Sequence, residues 1–128
     1  MTTLIWCLFI AALLPLLAKG PVAIAMNKLG GYNNNHPRDQ QSKLTGFGAR
    51  ALAAHQNAFE SFILFAPAVL LAIFTHHTGS NIELLAIAHV CARIAYNIFY
   101  LLNIAMLRSL VWFIATICSF SIIVQCIP

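Results

Sequence analysis

Residues 49–75 read ARALAAHQNAFESFILFAPAVLLAIFT, an apolar stretch with a polar cluster in its first half and almost no polar side chain in its second. The stretch exceeds the roughly 20 residues that a helix needs to cross about 30 Å of hydrocarbon. Three further apolar stretches of similar length lie at about residues 4–26, 82–102 and 105–126. Because a backbone inside a bilayer must bond to itself, all four are predicted to be helices.

The composition of the 128-residue chain excludes a soluble domain. It is 61% hydrophobic and only 8% charged, with a mean hydropathy of +0.85. Soluble domains are about 45–50% apolar and about 25% charged. The few charges cannot cover the surface of a small globule, whose ratio of surface to volume is high. A soluble enzyme, a nucleic-acid-binding module and a disordered segment are therefore excluded, and no nucleic-acid partner is expected.

The connections between the apolar stretches predict their arrangement. The one long polar connection, at residues 27–48, contains GGYNNNHPRDQQSK, which is typical of turns and loops. The other two are short, namely HHTGSN at 76–81 and a few residues around Asn103. Short connections make neighbouring helices antiparallel. The sequence thus predicts a single all-α domain over residues 1–128, an integral-membrane up-down four-helix bundle.

The charges beside the apolar stretches predict how the bundle is oriented. No Lys or Arg precedes the first apolar run, so we expect a retained helix, bent near Pro15 and Pro21, rather than a cleaved signal peptide. The 76–81 connection has no Lys or Arg, whereas the long connection and its edge carry Lys28, Arg38, Asp39, Lys43 and Arg50. By the positive-inside rule the long connection is cytoplasmic and both termini lie outside. The membrane is expected to be a bacterial inner membrane or one of the endoplasmic-reticulum type.

Polar side chains within the predicted helices mark a candidate site, because charge is costly inside a membrane. Asn57 and Glu60 lie roughly 12–16 Å from the predicted cytoplasmic end of their helix, and Arg93 lies roughly 14 Å from that end of the next. Lys19 lies roughly 10 Å from the same side, and Arg108 roughly 5 Å. Four helices therefore place polar groups in the cytoplasmic half of the bilayer, while the outer half is almost free of charge.

The spacing of these residues puts them on shared helix faces. Asn57 and Glu60 are three residues apart, and Arg93, Tyr96 and Tyr100 form a second stripe. An ion pair between Glu60 and Arg93 is geometrically plausible, because a planar guanidinium can hold a carboxylate through two bonds. The surplus of cations over this one acid favours an anionic ligand, either a peptide-like dicarboxylate or a lipid head group. The alternative is a structural pair, with the other cations extended to the interface.

Cysteine and histidine positions predict packing rather than metal binding. The four cysteines lie in apolar stretches, with no CxxC and no His at metal-ligand spacing, so no metal site is expected. Cys7 and Cys126 are expected near the same membrane face, where their positions would allow a disulfide. His89 is expected to be a hydrogen-bonded core residue.

Two motifs in the polar half of the bundle resemble a known family. AHQNAFE at 54–60, followed by SFILFAPAVLLA, resembles the second-helix signature of the MAPEG family, the membrane-associated proteins of eicosanoid and glutathione metabolism. RIAYNIFY at 93–100 resembles the family's third-helix motif. The resemblance implies a homotrimer of four-helix subunits that binds glutathione between neighbours in the cytosolic half of the membrane. It further implies that the residues contacting glutathione are Asn57, Glu60, Arg93, Tyr96 and Tyr100.

The chemistry that this resemblance implies is attack by a thiolate on a lipophilic electrophile, or reduction of a lipid hydroperoxide. A free thiol has a pKa of about 8.5, so the enzyme must favour the thiolate, and a nearby Arg does so electrostatically. Arg108, at the start of the last helix, is the expected catalytic residue. Many glutathione-using members have an Arg where this chain has Ala53, and Arg50, one turn earlier, is expected to take its place. The corresponding Arg of the eicosanoid-synthase branch falls at Leu107, one residue before Arg108.

Two other functions remain open. A protein of the same fold could bind lipid or act as a scaffold without catalysis. Small four-helix exporters of drugs or cations are similar in size, but here the buried acid lies beside an Arg and the cationic surplus would repel a cationic drug. The preferred prediction is a membrane-embedded glutathione-dependent transferase or peroxidase. Its expected partners are further copies of itself, membrane lipids and a lipophilic small-molecule substrate, with glutathione as the thiol co-substrate.

Overall fold

Five helices and no strand make up the computed structural model, which describes residues 1–128. In chain order they are α1 (Thr2–Asn27), α2 (Pro37–Ser42), α3 (Gly46–Phe74), α4 (Ser80–Leu101) and α5 (Ala105–Gln125). All except α2 are long and apolar enough to cross a membrane. Helix α1 packs mainly on α3, and α4 mainly on α5, while α3 also contacts α4 and α5. The prediction of an all-α membrane protein with four spanning helices is confirmed.

The long connection is more ordered than the sequence predicts, because it contains α2. Gln40 of this short helix is buried, and its Nε2 donates hydrogen bonds to the backbone oxygens of Met26, at 3.1 Å, and Gly31, at 2.7 Å. Its Oε1 accepts a hydrogen bond of 2.9 Å from the backbone N–H of Asn33. One buried glutamine thus closes the connection against the end of α1. We call the end of the bundle that carries this connection the loop end.

Helix α3 is longer than expected, because it begins at Gly46 rather than at residue 49. Its 29 residues correspond to about 43 Å, which exceeds the roughly 30 Å of hydrocarbon. The other ends also differ slightly from the predicted ones, since α1 begins at Thr2, α4 begins at Ser80 and α5 ends at Gln125.

The apolar core lies mainly in the half of the bundle opposite the loop end. Its large buried members include Leu4, Phe65 and Ile122, and alanines such as Ala68 and Ala86 are completely buried between the helices. Small residues at helix interfaces let the backbones approach closely in membrane proteins. A smaller cluster of Val22, Met26 and Ala51 closes the loop end. Between the two clusters lie the polar side chains that form the candidate site.

The four cysteines are free thiols, and the disulfide considered from the sequence is not formed. Cys7 and Cys126 both belong to the main core cluster, as their positions along the helices predict. Cys126 instead donates a hydrogen bond of 3.2 Å to the backbone oxygen of Ile122 in its own helix. Cys118 is also buried, and Cys91 is exposed on the outside of α4.

The turn between α4 and α5 depends on one residue in the left-handed region. Asn103 has φ of +60°, a conformation that asparagine adopts more readily than most residues other than glycine. The turn lets α5 begin at Ala105, as predicted, and it sets the rotation of the first turn of α5. This rotation decides where Arg108 points.

Candidate functional site

Helix α3 supplies an amide and a carboxylate to the candidate site. Asn57 is half-buried, and Glu60, one turn further along, is exposed on the side of the bundle. Nδ2 of Asn57 donates a hydrogen bond of 3.0 Å to Oε2 of Glu60. The pair lies on one helix face, as the three-residue spacing predicts.

Helix α4 supplies a deeply buried cation. Arg93 is only 3% exposed, and its Nη2 donates a hydrogen bond of 2.9 Å to Oδ1 of Asn57. Its Cζ lies 4.1 Å from the centre of the Tyr96 ring, which is within the range of a cation–π contact. A guanidinium has five N–H donors, and no other hydrogen bond from the Arg93 side chain is formed within the chain. Holding a cation inside a bilayer with one hydrogen bond is costly, so the site is suited to an added anion.

The direct ion pair between Glu60 and Arg93 that the spacing made plausible is not formed. The only ion pairs in the chain join the Met1 amino group to Glu83 and Lys43 to Asp39, both away from this site. Asn57 stands between the two charges instead, accepting from the cation and donating to the carboxylate. The carboxylate therefore remains on the outside of the bundle, and the guanidinium keeps most of its donors free.

Two tyrosines extend the site toward the loop end. The rings of Tyr96 and Tyr100 pack edge to face with centres 5.6 Å apart, and neither hydroxyl forms a hydrogen bond within the chain. Cζ of Arg108 lies 4.5 Å from the centre of the Tyr100 ring. Leu107, at the position of the family's arginine, is 41% exposed and takes no part. Arg108, one residue later, is thus the cation that contacts Tyr100. We call the whole set the polar layer, namely Asn57, Glu60, Arg93, Tyr96, Tyr100 and Arg108.

Two other cations named from the sequence lie apart from the polar layer. No hydrogen bond, ion pair or ring contact joins Arg50 to the polar layer, and its buried Nε has no partner. Lys19 lines a separate pocket of about 360 Å³ at the loop end, which it shares with Arg38 and polar side chains of α2 and α3. His55 borders this pocket, and its Nδ1 donates a hydrogen bond of 2.7 Å to the backbone oxygen of Pro15.

A pocket between α3 and α5 adds residues that the sequence reasoning missed. It measures about 120 Å³, touches Asn57 and Glu60, and is further lined by Ser61, Leu64, Trp112, Thr116 and Ser119. Trp112 and Thr116 follow Arg108 at intervals of four residues, so they continue its helix face. Extending that stripe along the last apolar segment would have identified both residues.

The buried histidine of α4, His89, links α4 to α5. Nδ1 of His89 donates a hydrogen bond of 2.9 Å to the backbone oxygen of Ala115 and lies 3.1 Å from Oγ of Ser119. The ring of Phe65 stacks on the imidazole with centres 3.9 Å apart. The prediction of a hydrogen-bonded core histidine is confirmed. No group of three or more His, Cys, Asp or Glu residues is arranged to hold a metal ion.

These features define a class of protein: a polytopic α-helical membrane protein with a cationic site inside its bundle. Residues 3–128 match the sequence model of the MAPEG family, which is nearly the whole chain. The chain therefore belongs to the MAPEG family, as the motifs in the second and third apolar segments predicted. No curated protein and no solved structure matches it.

Proposed function

We propose that the protein is a membrane-embedded glutathione-dependent transferase or peroxidase that acts on lipophilic electrophiles or lipid hydroperoxides. The observation that carries this proposal is Arg93, a buried guanidinium with one hydrogen bond and no carboxylate in contact. Glutathione has two carboxylates, and a charge-assisted bond to one of them would satisfy the free donors. Membership of the MAPEG family fits a glutathione-related function.

Two arginines have different roles in this proposal, one in binding and one in stabilising the thiolate. Arg93 binds a carboxylate of glutathione, and the hydroxyls of Tyr96 and Tyr100 donate to the bound molecule. Arg108, over the ring of Tyr100, stabilises the thiolate, because its charge is permanent. Arg50 has a buried donor without a partner, which supports a role in binding a group of glutathione near the loop end.

The exposed carboxylate of Glu60 supports assembly into the proposed homotrimer. A charged side chain on the outside of a spanning helix is costly against lipid, and a second copy of the chain would cover it. Helix α3 also borders the pocket of Lys19 and His55 on another face. Two different polar faces favour a head-to-tail interface, which closes into a ring. Glutathione then lies between neighbouring subunits in the cytoplasmic half of the membrane, with the long connection in the cytoplasm.

The pocket between α3 and α5 supports a place for the second substrate beside the thiolate. A lipophilic molecule reaches it from the bilayer, and the polar side chains of Ser61 and Thr116 face its reactive group. In the transferase reaction the thiolate sulfur attacks an electrophilic carbon and forms a thioether, while the carbon's leaving group departs with the electron pair of the broken bond and is protonated. In the peroxidase reaction two molecules of glutathione become the disulfide, while the hydroperoxide becomes an alcohol and water.

Glutathione binding to the purified protein in detergent, with thiolate absorbance followed in the ultraviolet, tests this proposal. We expect saturable binding and a thiolate signal in the wild type, and neither in Arg93→Ala. Lys43→Ala, which removes an exposed cation of the long connection, is the matched control and should bind normally. Absence of binding at millimolar glutathione would favour the non-catalytic lipid-binding or scaffold function. Proton-coupled cation efflux that requires Glu60 would instead identify an exporter.

A further inference from the structure

A small cavity inside the bundle is distinct from the pockets described above, although it shares Ser61 with the pocket between α3 and α5. It lies between α1, α3 and α4, measures about 10 Å³, and no residue of α5 lines it. Its lining consists of four apolar and three polar residues, namely Ala11, Leu14, Ala58 and Phe62, and Ser61, His89 and Arg93. A volume of this size holds about one water molecule and nothing larger.

His89 brings a hydrogen-bond acceptor to this cavity. Its Nδ1 lies 2.9 Å from the backbone oxygen of Ala115, which can only accept, so Nδ1 carries the hydrogen. A second positive charge one turn from Arg93 would be costly inside a membrane, so the imidazole is neutral and Nε2 has a free lone pair. The ring bond opposite Nδ1 joins Cδ2 to Nε2. Because Nδ1 faces α5 and no residue of α5 lines the cavity, the edge that carries Nε2 faces away from α5.

The polar atoms of the cavity lining are accessible to a water-sized molecule. Only two side-chain atoms in the chain are completely buried without a partner, namely Nε of Arg50 and Oδ1 of Asn97. Both hydrogen bonds of His89 use Nδ1, so Nε2 has no partner within the chain, and it is not one of these two sealed atoms. The same holds for Nε and Nη1 of Arg93 and for the hydroxyl of Ser61. These atoms therefore border space that a water molecule can enter.

We propose that one water molecule occupies this cavity. It accepts a hydrogen bond from the guanidinium of Arg93 and donates to Nε2 of His89 and to the hydroxyl oxygen of Ser61. Water fits this set because a guanidinium only donates and a neutral Nε2 only accepts, so the bound molecule must do both. A buried water typically forms about three hydrogen bonds. An anion would meet the lone pair of Nε2, and a cation would meet Arg93.

The water joins the helices at the centre of the membrane. It bridges Ser61 of α3 to two residues of α4, and His89 continues the link to α5 through Nδ1. Asn57 remains the only acceptor that the chain itself offers to Arg93. Since a guanidinium has five N–H donors, others stay free for a carboxylate. The site therefore does not depend on the proposed thiol chemistry.

Solid-state NMR of the wild-type protein in lipid bilayers, with ¹⁵N-labelled histidine, tests the proposal. The side-chain signals of His89 are assigned through their correlation with the backbone of residues 88–90. We expect a protonated Nδ1, an unprotonated Nε2, and transfer of polarisation from water to Nε2. A hydrogen on Nε2 instead of Nδ1 would overturn the proposal, as would an Nε2 that receives no polarisation from water. The wild-type spectrum decides this without any variant.

Two variants of α1 separate the cavity from the rest of the bundle. Ala11→Val fills the cavity and keeps its three polar side chains, so the transfer from water to Nε2 should be lost while Nδ1 stays protonated. Ala18→Val makes the same substitution two turns further along α1, outside the cavity, and should leave the transfer intact. Transfer that persists in Ala11→Val, or that is lost equally in both variants, would contradict the proposal.

Discussion

Arg93 donates a hydrogen bond of 2.9 Å to Asn57, and this bond joins α4 to α3 inside the bundle. Because Asn57 also donates to Glu60 at 3.0 Å, a neutral amide separates the cation from the carboxylate. A direct ion pair would use up the guanidinium, whereas the amide leaves most of its donors free. The arrangement keeps a buried cation in place without neutralising it, which is what an anion-binding site requires.

Removing this amide should destabilise the bundle more than removing the whole polar pair. In Asn57→Leu the buried guanidinium of Arg93 loses its only hydrogen-bond acceptor, so we expect the free energy of unfolding to fall by about 1–3 kcal/mol. The double variant Asn57→Leu/Arg93→Leu should regain most of this loss, since no unpaired charge remains buried. Thermal unfolding in detergent checks both. Strictly additive effects of the two substitutions would contradict a coupling between the residues.

Arg108 should affect the ionisation of bound glutathione more than its affinity. Arg108→Ala removes a positive charge near the proposed thiolate, so the thiolate fraction at neutral pH should fall about tenfold. The carboxylate contact at Arg93 is retained, and the total binding of glutathione should change little. Ultraviolet absorbance and calorimetric titration measure the two quantities separately. Leu107→Ala, beside it on the exposed surface, is the control, and a similar loss of thiolate there would refute the assignment.

His89 should contribute to stability without contributing to binding. His89→Leu removes the 2.9 Å hydrogen bond to the backbone oxygen of Ala115, and we expect a loss of about 0.5–2 kcal/mol. Ser119→Ala should cost less, because its hydroxyl is a secondary partner of the same histidine. Unfolding midpoints measured beside glutathione titrations test this division. A His89→Leu protein of normal stability that no longer binds glutathione would show that the prediction is wrong.

The pocket between α3 and α5 should determine the KM for the lipophilic substrate. Trp112→Ala enlarges the pocket and removes its largest apolar side chain, so KM for a hydrophobic electrophile should rise several-fold. KM for glutathione should stay within twofold. Steady-state kinetics with each substrate varied in turn distinguishes the two effects. Phe120→Ala, which removes an exposed aromatic ring of the same helix away from the pocket, is the control. Equal increases in both KM values would exclude a pocket specific to the second substrate.

The spanning helices were predictable because a bilayer leaves the backbone little choice. Unbroken apolar stretches of membrane-spanning length must form helices, so the four segments agree with α1, α3, α4 and α5 to within a few residues. Helix α2 was missed, since Pro37 to Ser42 is polar and too short for a periodic pattern. What stabilises the segment is Gln40, whose hydrogen bonds reach Met26 and Gly31 across the loop. Such contacts join residues far apart in sequence, and no local pattern reveals them.

The sequence predicted which residues share one depth in the membrane, but not which of them are joined by hydrogen bonds. Helical spacing brought Asn57 and Glu60 together, and also Arg93 and Tyr96, which are in contact as expected. Spacing alone could not choose between Glu60 and Asn57 as the partner of Arg93, because both lie on the same helix face. The choice of partner depends on the rotation of each helix about its axis and on the length of each side chain. Changes of a few ångströms in side-chain position decide which residue Arg93 meets.

The rotation of α5 about its own axis also could not be predicted from the sequence. The position of Arg108 one residue after the expected place implied a change of about 100° on an ideal helix. The left-handed turn at Asn103 precedes the first turn of α5, and Arg108 lies over Tyr100. An asparagine indicates that such a turn is allowed, but it does not give the angle at which the next helix begins.

The placement of the four cysteines bears on how the protein would withstand oxidative stress. None of them belongs to the polar layer or lines the two pockets beside it, and three are buried among apolar side chains. If a thiol is bound and activated beside Arg93 and Arg108 as proposed, it therefore meets no protein sulfur with which to form a mixed disulfide. The only exposed cysteine, Cys91, faces outward from α4, where water-soluble oxidised glutathione has little access. The activity of the proposed enzyme should therefore fall with its reduced co-substrate when the cellular thiol pool is oxidised, and it should recover as soon as reduced thiol returns, without any repair of the protein itself.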